Sequence, residues 1–145
     1  GDDYVWMAST LGGNPVSSAA ANAALAVLRK PGTYIRLHDL GRYLRAGLAK
    51  VLRAHEVPAQ VIGDGPLGQV VFSSEPVYDY RTTKKADTRM GRALMIGLFD
   101  RGVFLNPMGT KLYLSLAHDE TDCDALVDRV DDVLGEILRS HPDAA

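Results

Sequence analysis

Two hydroxyl residues, Ser9 and Thr10, begin the stretch Ser-Thr-Leu-Gly-Gly-Asn-Pro. Hydroxyl groups beside a helix N-terminus suit an anion, because the backbone N–H groups and the helix dipole there attract negative charge. Asn14 is a favoured N-cap and Pro15 suits the first helical position, so a helix is predicted to begin at this point. The stretch therefore predicts a phosphate site, and a loop that only caps the helix explains Asn14 and Pro15 equally well.

Other reactive residue types form weaker patterns. The four histidines have no ligand spacing with one another or with a cysteine, and each is interpreted as solvated or structural: His38, His55, His118 and His141. Cys123 lies between Asp122 and Asp124, whose charges oppose thiolate formation, so it is interpreted as a core or surface cysteine. The acidic residues that follow are interpreted as a solvated helix face. The sequence contains no P-loop and no strand–GxGxxG–helix unit.

Four predicted helices position these groups. Small residues at helical spacing follow Asn14 until the sequence Lys-Pro-Gly ends the first helix at residues 30–32, and a leucine stripe predicts the second over residues 33–55. The third is predicted over residues 84–100. The last begins at Asp119, with Asp122 at the acidic position of a capping box, and ends before Pro142.

Four short strands complete the predicted order helix, helix, strand, strand, helix, strand, strand, helix. They are expected at residues 59–63, 68–73, 103–105 and 111–117, with a polar loop at residues 73–87 and a turn at residues 106–110. This order predicts an α/β fold with a short mixed or antiparallel sheet and helices packed mainly on one face.

Composition restricts the class of protein. The 145 residues suffice for one core, and the net charge of −2 gives no electrostatic reason to expect nucleic acid or an anionic membrane as partner. No apolar run approaches the ~20 residues of a membrane helix. A single cysteine fits a reducing compartment, so a cytoplasmic location is expected. The chain begins without methionine and runs directly into the loop at Thr10, which favours a fragment of a longer polypeptide.

Three stretches carry a family resemblance. "STLGGNPVSSAAANAALAVLRKPGTYIRLHDLGRYLRAGL" resembles the G-T-x-x-G-N-P segment of class III pyridoxal-phosphate aminotransferases, in the glutamate-1-semialdehyde aminomutase branch. The resemblance continues in "FSSEPVYDYRTTKKADT" and "LFDRGVFLNP", and resumes in "LSLAHDETDCDALVDRVDDVL". These stretches follow the family order over nearly the whole chain.

The resemblance implies the C-terminal part of a fold-type-I enzyme with pyridoxal 5'-phosphate as cofactor. It implies that Thr10 hydrogen-bonds the cofactor phosphate across a homodimer interface, with the partner completing the site. Ser9 stands where the family usually has glycine, so its side chain either adds a bond or crowds the phosphate. Lys111 opens a strand after the 106–110 turn, where it either meets a substrate carboxylate or faces solvent.

The resemblance also implies what lies outside these residues. The Schiff-base lysine of the family precedes the Thr10 loop, so no residue of this chain is assigned a catalytic role, and the chain alone is expected to be inactive. Residues 1–30 correspond to the cofactor-phosphate loop and connecting helix at the end of the large domain. Residues 31–145 correspond to the C-terminal small domain.

The implied activity is amino-group transfer between an amine or amino acid and a keto acid or aldehyde. The departure at "NPMGTKLY" from the aminomutase branch favours an aminotransferase over the mutase. Glutamate-1-semialdehyde aminomutase and a non-catalytic dimerisation or binding module are the alternatives. A metal site is not expected.

Overall fold

A computed structural model describes residues 10, 12–106 and 110–140 of the chain. The chain divides into two compact units, Gly1–Tyr34 and Ile35–Ala145. The elements follow in the order α1 (Pro15–Leu28), α2 (Thr33–Ala54), β1 (Gln60–Ile62), β2 (Leu67–Val71), α3 (Tyr80–Thr83), α4 (Thr88–Asp100), β3 (Lys111–Tyr113) and α5 (Glu120–Ser140).

Helix α1 lies in the first unit and begins where the sequence predicted. Asn14 is its N-cap, and no residue of the helix is buried. Its larger apolar side chains are exposed, including Val16 at 76%, Leu25 at 45% and Val27 at 42%. The predicted helix is confirmed, and none of its residues is buried by the described part of the chain.

The second unit contains a three-stranded sheet in the order β1-β2-β3. Both pairs are antiparallel, with Val61 opposite Val70 and Gly68 opposite Leu112. Because side chains alternate between sheet faces, Val70, Phe72 and Leu112 point to the same side, where they join the core. The antiparallel form of the predicted sheet is confirmed.

Three amphipathic helices cover that face of the sheet. Helix α2 supplies the predicted leucine stripe, and α4 and α5 pack against each other. A leucine stripe at helical spacing is stable only when its face leaves water, which explains why these helices share one core. The most deeply buried side chains are Leu44, Leu48, Leu94, Leu98, Cys123, Val133 and Leu134.

The predicted third helix began too early. Helix α4 starts at Thr88, because Asp87 accepts hydrogen bonds from the backbone N–H groups of Arg89 and Met90. A separate short helix, α3, lies inside the predicted polar loop, where Asp79 forms a capping box with Thr82. The cap at Asp87 therefore places the start of the helix four residues later than predicted, and the cap at Asp79 forms a short helix where only a loop was predicted.

The last two predicted strands are also corrected. Residues 103–105 form no strand; Val103 donates its N–H to Leu98 at the end of α4, and Leu105 is buried in the core. Strand β3 is three residues long because a turn follows, in which Ser115 donates its N–H to His118 Nδ1 at 3.0 Å. Within the predicted 106–110 turn, only its first and last residues are described.

The final helix is confirmed with its cap. The Asp119 carboxylate accepts from the N–H groups of Thr121 and Asp122, and the Asp122 carboxylate accepts from the Asp119 N–H. His141 and Pro142 lie outside the described residues. No helix in the described part of the chain has the length and apolar character required to cross a membrane.

Candidate functional site

The predicted phosphate loop exposes the Thr10 side chain. Gly13, which precedes the cap, has φ +77°, a left-handed conformation that a residue with a Cβ adopts only with strain. This glycine turns the chain sharply into α1. Ser9 and Leu11 lie outside the described residues, so the role predicted for Ser9 stays a prediction.

The first N–H groups of α1 already have acceptors. Asn14 Oδ1 accepts from the backbone N–H of Val16 at 2.9 Å and of Ser17 at 3.1 Å. Pro15 has no N–H, and Ser18 donates its own to the Asn14 carbonyl at 3.0 Å. A phosphate here would therefore use the Thr10 hydroxyl and loop backbone rather than the helix N-terminus.

These donors suit one part of a phosphate cradle. A threonine hydroxyl donates a charge-assisted hydrogen bond to a phosphate oxygen, and exposed glycine backbone allows close approach. Gly12 and Gly13 are both exposed, and among the described residues no atom outside Gly13 and its two chain neighbours lies within 4 Å of the position of a Cβ on Gly13. The residue types present therefore fit this part of the cofactor.

The lysines of the chain have other surroundings. Lys30 follows α1, whose 14 residues extend about 21 Å, so it lies at the opposite end of that helix from Thr10. Lys85 Nζ lies 2.6 Å from Glu75 Oε2, and Lys84 Nζ lies 4.8 Å from the centre of the Tyr80 ring. Both follow α3 and precede the true start of α4. Lys50 is an exposed residue of α2.

Lys111 is half-buried at the start of β3. Its backbone pairs with Gln69 of β2 and forms a bridge with Asn106 across the turn. The residue lines a cavity of about 740 Å³ between β3, the 102–106 segment and α5. Thr10 belongs to the first unit and Lys111 to the second.

The sequence analysis gave no binding role to two further residues that line this cavity. His118 lies in the turn after β3, and Arg129 lies on α5, where Nη1 donates to the Ala125 carbonyl at 2.8 Å. Both are half-buried. Only the tertiary packing of the turn and α5 brings them to one cavity with Lys111, since the three residues belong to different local segments.

Cys123 is a structural cysteine, as the sequence predicted. It is buried in the core, and burial first, then the charges of Asp122 and Asp124, raise the pKa of its thiol to about 11. A thiol with that pKa is protonated and a weak nucleophile at neutral pH. Among the described residues, no group of three or more His, Cys, Asp or Glu side chains could hold a metal ion.

Acidic residues of helix α5 contact α2 and the residue that follows it. Asp124 accepts a hydrogen bond from the Tyr43 hydroxyl at 2.7 Å, and this bond raises the pKa of the Tyr43 phenol. His55, directly after α2, has its Nε2 2.5 Å from Asp131 Oδ1 of α5. These acidic residues join α2 to α5.

Comparison with known proteins identifies the family to which the chain is similar. A family model described as "Aminotransferase class-III" matches residues 3–134. The glutamate-1-semialdehyde 2,1-aminomutase of Myxococcus xanthus is 40% identical over 119 residues, which cover 81% of this chain and 28% of the relative. The omega-transaminase of Sphaerobacter thermophilus has a TM-score of 0.80 at 30% identity, over 90% of this chain and 30% of that one.

A third similar structure is described as a transaminase with PLP bound. Its TM-score is 0.78 at 24% identity, over 94% of this chain and 30% of that chain, so this likeness concerns the fold. The chain spans about 30% of the length of these relatives. The resemblance predicted from the sequence is confirmed at the level of the family.

Proposed function

The chain belongs to the class-III aminotransferase family, and from this premise we propose that it is the C-terminal part of a pyridoxal-phosphate-dependent aminotransferase. Residues 1–30 would end the large domain and residues 31–145 would form the small domain. The reaction would transfer an amino group between an amine or amino acid and a keto acid or aldehyde. The observation that carries the proposal is the exposed Thr10 hydroxyl at a capped helix, inside the family match.

Thr10 would anchor the cofactor by its phosphate. Its hydroxyl donates a hydrogen bond to a phosphate oxygen, and the α1 cap holds the loop in place because Asn14 fixes the helix start. The anchor would serve the site of a homodimer partner, as the family resemblance implies. Ser9, beside Thr10, is proposed as a minor contact of the same phosphate.

The cofactor, when bound, supplies an electron sink for the substrate carbon that loses its proton. This chain's own residues would bind and orient. Lys111 would place its ammonium group against a substrate carboxylate, a role that its half-buried position on a cavity supports. No residue of the chain is proposed as the Schiff-base lysine, and the chain alone is expected to be inactive.

Glutamate-1-semialdehyde 2,1-aminomutase is the second candidate. Curated aminomutases 40% and 35% identical to this chain support it. An aminomutase needs no second substrate, whereas an aminotransferase needs both an amino donor and an acceptor. Turnover of glutamate-1-semialdehyde in the absence of any keto acid would select the mutase.

The direct test replaces Thr10 in the full-length protein. Thr10→Ala should weaken cofactor affinity by about fivefold to a hundredfold, since a hydrogen bond to a charged group contributes roughly 1–3 kcal/mol. Thr10→Ser is the matched control and should keep most of the affinity, because it keeps the hydroxyl. Equal cofactor dissociation constants for wild type and Thr10→Ala would remove Thr10 from the site.

Lys111 is tested separately by steady-state kinetics. Lys111→Met should raise KM for a carboxylate-bearing substrate by about tenfold, and leave cofactor affinity unchanged, since it removes only one charge-assisted contact. An amine substrate that carries no carboxylate is the control, and its KM should not rise. A KM that rises equally for both substrates would contradict the assignment.

A further inference from the structure

Thr110 is a buried polar residue at the end of the β2–β3 ladder. It is 5% exposed, and with Ser73 it is one of two buried polar residues in the described part of the chain. Its Oγ1 donates a hydrogen bond to the Val70 carbonyl of β2. Val70 belongs to the buried core, so this bond ties the start of β3 to the core.

The Thr110 hydroxyl extends the contact between the two strands beyond their backbone ladder. Strands β2 and β3 share three residue pairs, and the pair of Gln69 with Lys111 is the last of them. A pair at the end of a ladder opens more easily than one inside it, because it has a neighbouring pair on one side only. Thr110 bonds the residue that follows Gln69, so it holds the ladder closed directly beside Lys111.

Side chains along this segment alternate between the two faces of the sheet. Thr110 and Leu112 are buried, whereas Lys111 is half-buried and Tyr113 is exposed. This alternation, which the strand geometry requires, directs Lys111 away from the helical core and onto the same face as its partner Gln69. The Thr110 and Lys111 side chains therefore point in opposite directions.

The two residues also line different cavities. Thr110 lines a cavity of about 460 Å³ between β2 and α4. Lys111 lines two others, of about 740 and 290 Å³, and Thr110 lines neither of them. A substrate held by Lys111 in either cavity has no contact with the Thr110 side chain. Any effect of the hydroxyl on that substrate must therefore pass through the backbone that joins the two residues.

We propose that Thr110 is a positioning residue for Lys111. Its hydrogen bond to Val70 fixes the start of β3, and thereby the place of the Lys111 ammonium group relative to a substrate carboxylate. A lysine side chain has a flexible stem, so a fixed backbone is what limits the region that its charge can reach. The inference rests on the proposed function, which assigns Lys111 to that carboxylate, and adds the residue that holds Lys111 in place.

The test is steady-state kinetics of the full-length holoenzyme with a carboxylate-bearing amino donor. Thr110→Val, which removes the hydroxyl at nearly constant volume, should raise KM by about threefold to tenfold and leave kcat within about twofold, because the misplaced charge weakens substrate binding. KM for an amine substrate without a carboxylate should not rise. Thr110→Ser keeps the hydroxyl and should return KM to within about twofold of wild type. An unchanged KM in Thr110→Val would overturn the positioning role.

Two comparisons separate positioning from a general loss of stability. Added to Lys111→Met, Thr110→Val should raise KM no further, since Thr110 acts through Lys111; an equal further rise would count against the proposal. Ser73→Ala is the matched control, because Ser73 is the other buried polar residue and its Oγ donates to the Glu75 carbonyl at 2.9 Å. Its KM should equal that of wild type, and a rise as large as in Thr110→Val would likewise refute the positioning role.

The inference and the proposed function fail in different ways. A raised KM in Lys111→Met beside an unchanged KM in Thr110→Val overturns the positioning role and leaves the proposed function standing. An unchanged KM in Lys111→Met removes Lys111 from the proposed function, and the inference with it. Thermal unfolding checks that each variant is folded, and Thr110→Ala takes the place of Thr110→Val in every comparison if the valine variant does not fold.

Discussion

Gly41 lies where α2 touches the backbone of the loop between β1 and β2. A Cβ at this position would lie 1.9 Å from the Gly65 carbonyl oxygen and 2.8 Å from its carbon. The same loop is held by Arg45, whose Nη1 donates to the Gly65 and Leu67 carbonyls at 2.7 Å each. Backbone cannot move aside as a flexible side chain can, so the contact requires glycine.

Gly41→Ala should therefore lower the free energy of unfolding by roughly 2–3 kcal/mol, the cost of overpacking. Gly91→Ala is the matched control on α4, where the nearest atom to an added Cβ is Phe72 Cδ2 at 3.9 Å. That change should raise stability by about 0.5–1 kcal/mol, since alanine is the better helix former. Urea unfolding measures both, and a Gly41→Ala variant as stable as Gly91→Ala would contradict the close approach.

The Cys123 thiol gives a prediction for reactivity. With its pKa raised from 9.0 to about 11, the folded chain should react with a disulfide reagent at pH 8 roughly a hundredfold more slowly than the urea-unfolded chain. Equal reaction rates for the folded and the unfolded chain would contradict the buried thiol.

The raised pKa of Cys123 also affects stability at alkaline pH. The thiol stabilises the fold below pH 9, and its contribution is lost as pH rises through 11. Cys123→Ala should remove that part of the alkaline decline in the free energy of unfolding.

At the scale of elements, the sequence predicted the amphipathic helices better than the segments between them. The stripe of α2 and the Asp119 cap of α5 were recognisable because spacing and cap residues are local signals. Residues 103–105 look like a strand because they are apolar and include a β-branched and an aromatic residue, but Leu105 is buried by packing onto the helical core. A short apolar run does not specify which surface buries it.

The cap of α1 is tested by Asn14→Ala. The change removes the acceptor of the Val16 and Ser17 N–H groups and should cost the helix about 1 kcal/mol. Because no residue of α1 is buried, burial does not compensate for the lost cap, and hydrogen exchange at Ser17 should accelerate about fivefold. Asn22→Ala, on the exposed middle of the same helix, should leave the exchange at Ser17 unchanged or slower; acceleration in that control alone would contradict the cap.

At the scale of the whole molecule, two of the three predicted site residues, Thr10 and Lys111, lie in different units. The Thr10 loop was recognisable from its residue order, and Lys111 from its place after a turn, because both signals are local. Arg129 and His118 reach the Lys111 cavity only through the packing of α5 against the sheet end, which no single stretch of sequence encodes. Sequence motifs alone therefore did not predict that these residues line one cavity.

Exposed apolar side chains on α1 predict association of the chain. Val16, Leu25 and Val27 are all more than 40% exposed on one helix. A helix of this kind tends to bury its apolar residues against another surface. Sedimentation velocity should detect oligomers whose fraction rises with concentration, and Val16→Ser with Leu25→Ser should reduce it. A chain that stays monomeric at all concentrations would contradict this expectation.

The role of Thr10 across a dimer interface is tested most directly by mixed dimers of the full-length protein. One subunit carries Thr10→Ala and the other lacks the Schiff-base lysine, and cofactor is kept limiting so that each parent is inactive. If Thr10 serves the partner's site, each mixed dimer has one intact site, and random mixing restores about a quarter of wild-type activity, because half of the dimers are mixed. If activity of the mixture stays at the level of the inactive parents, Thr10 does not complete the partner's site.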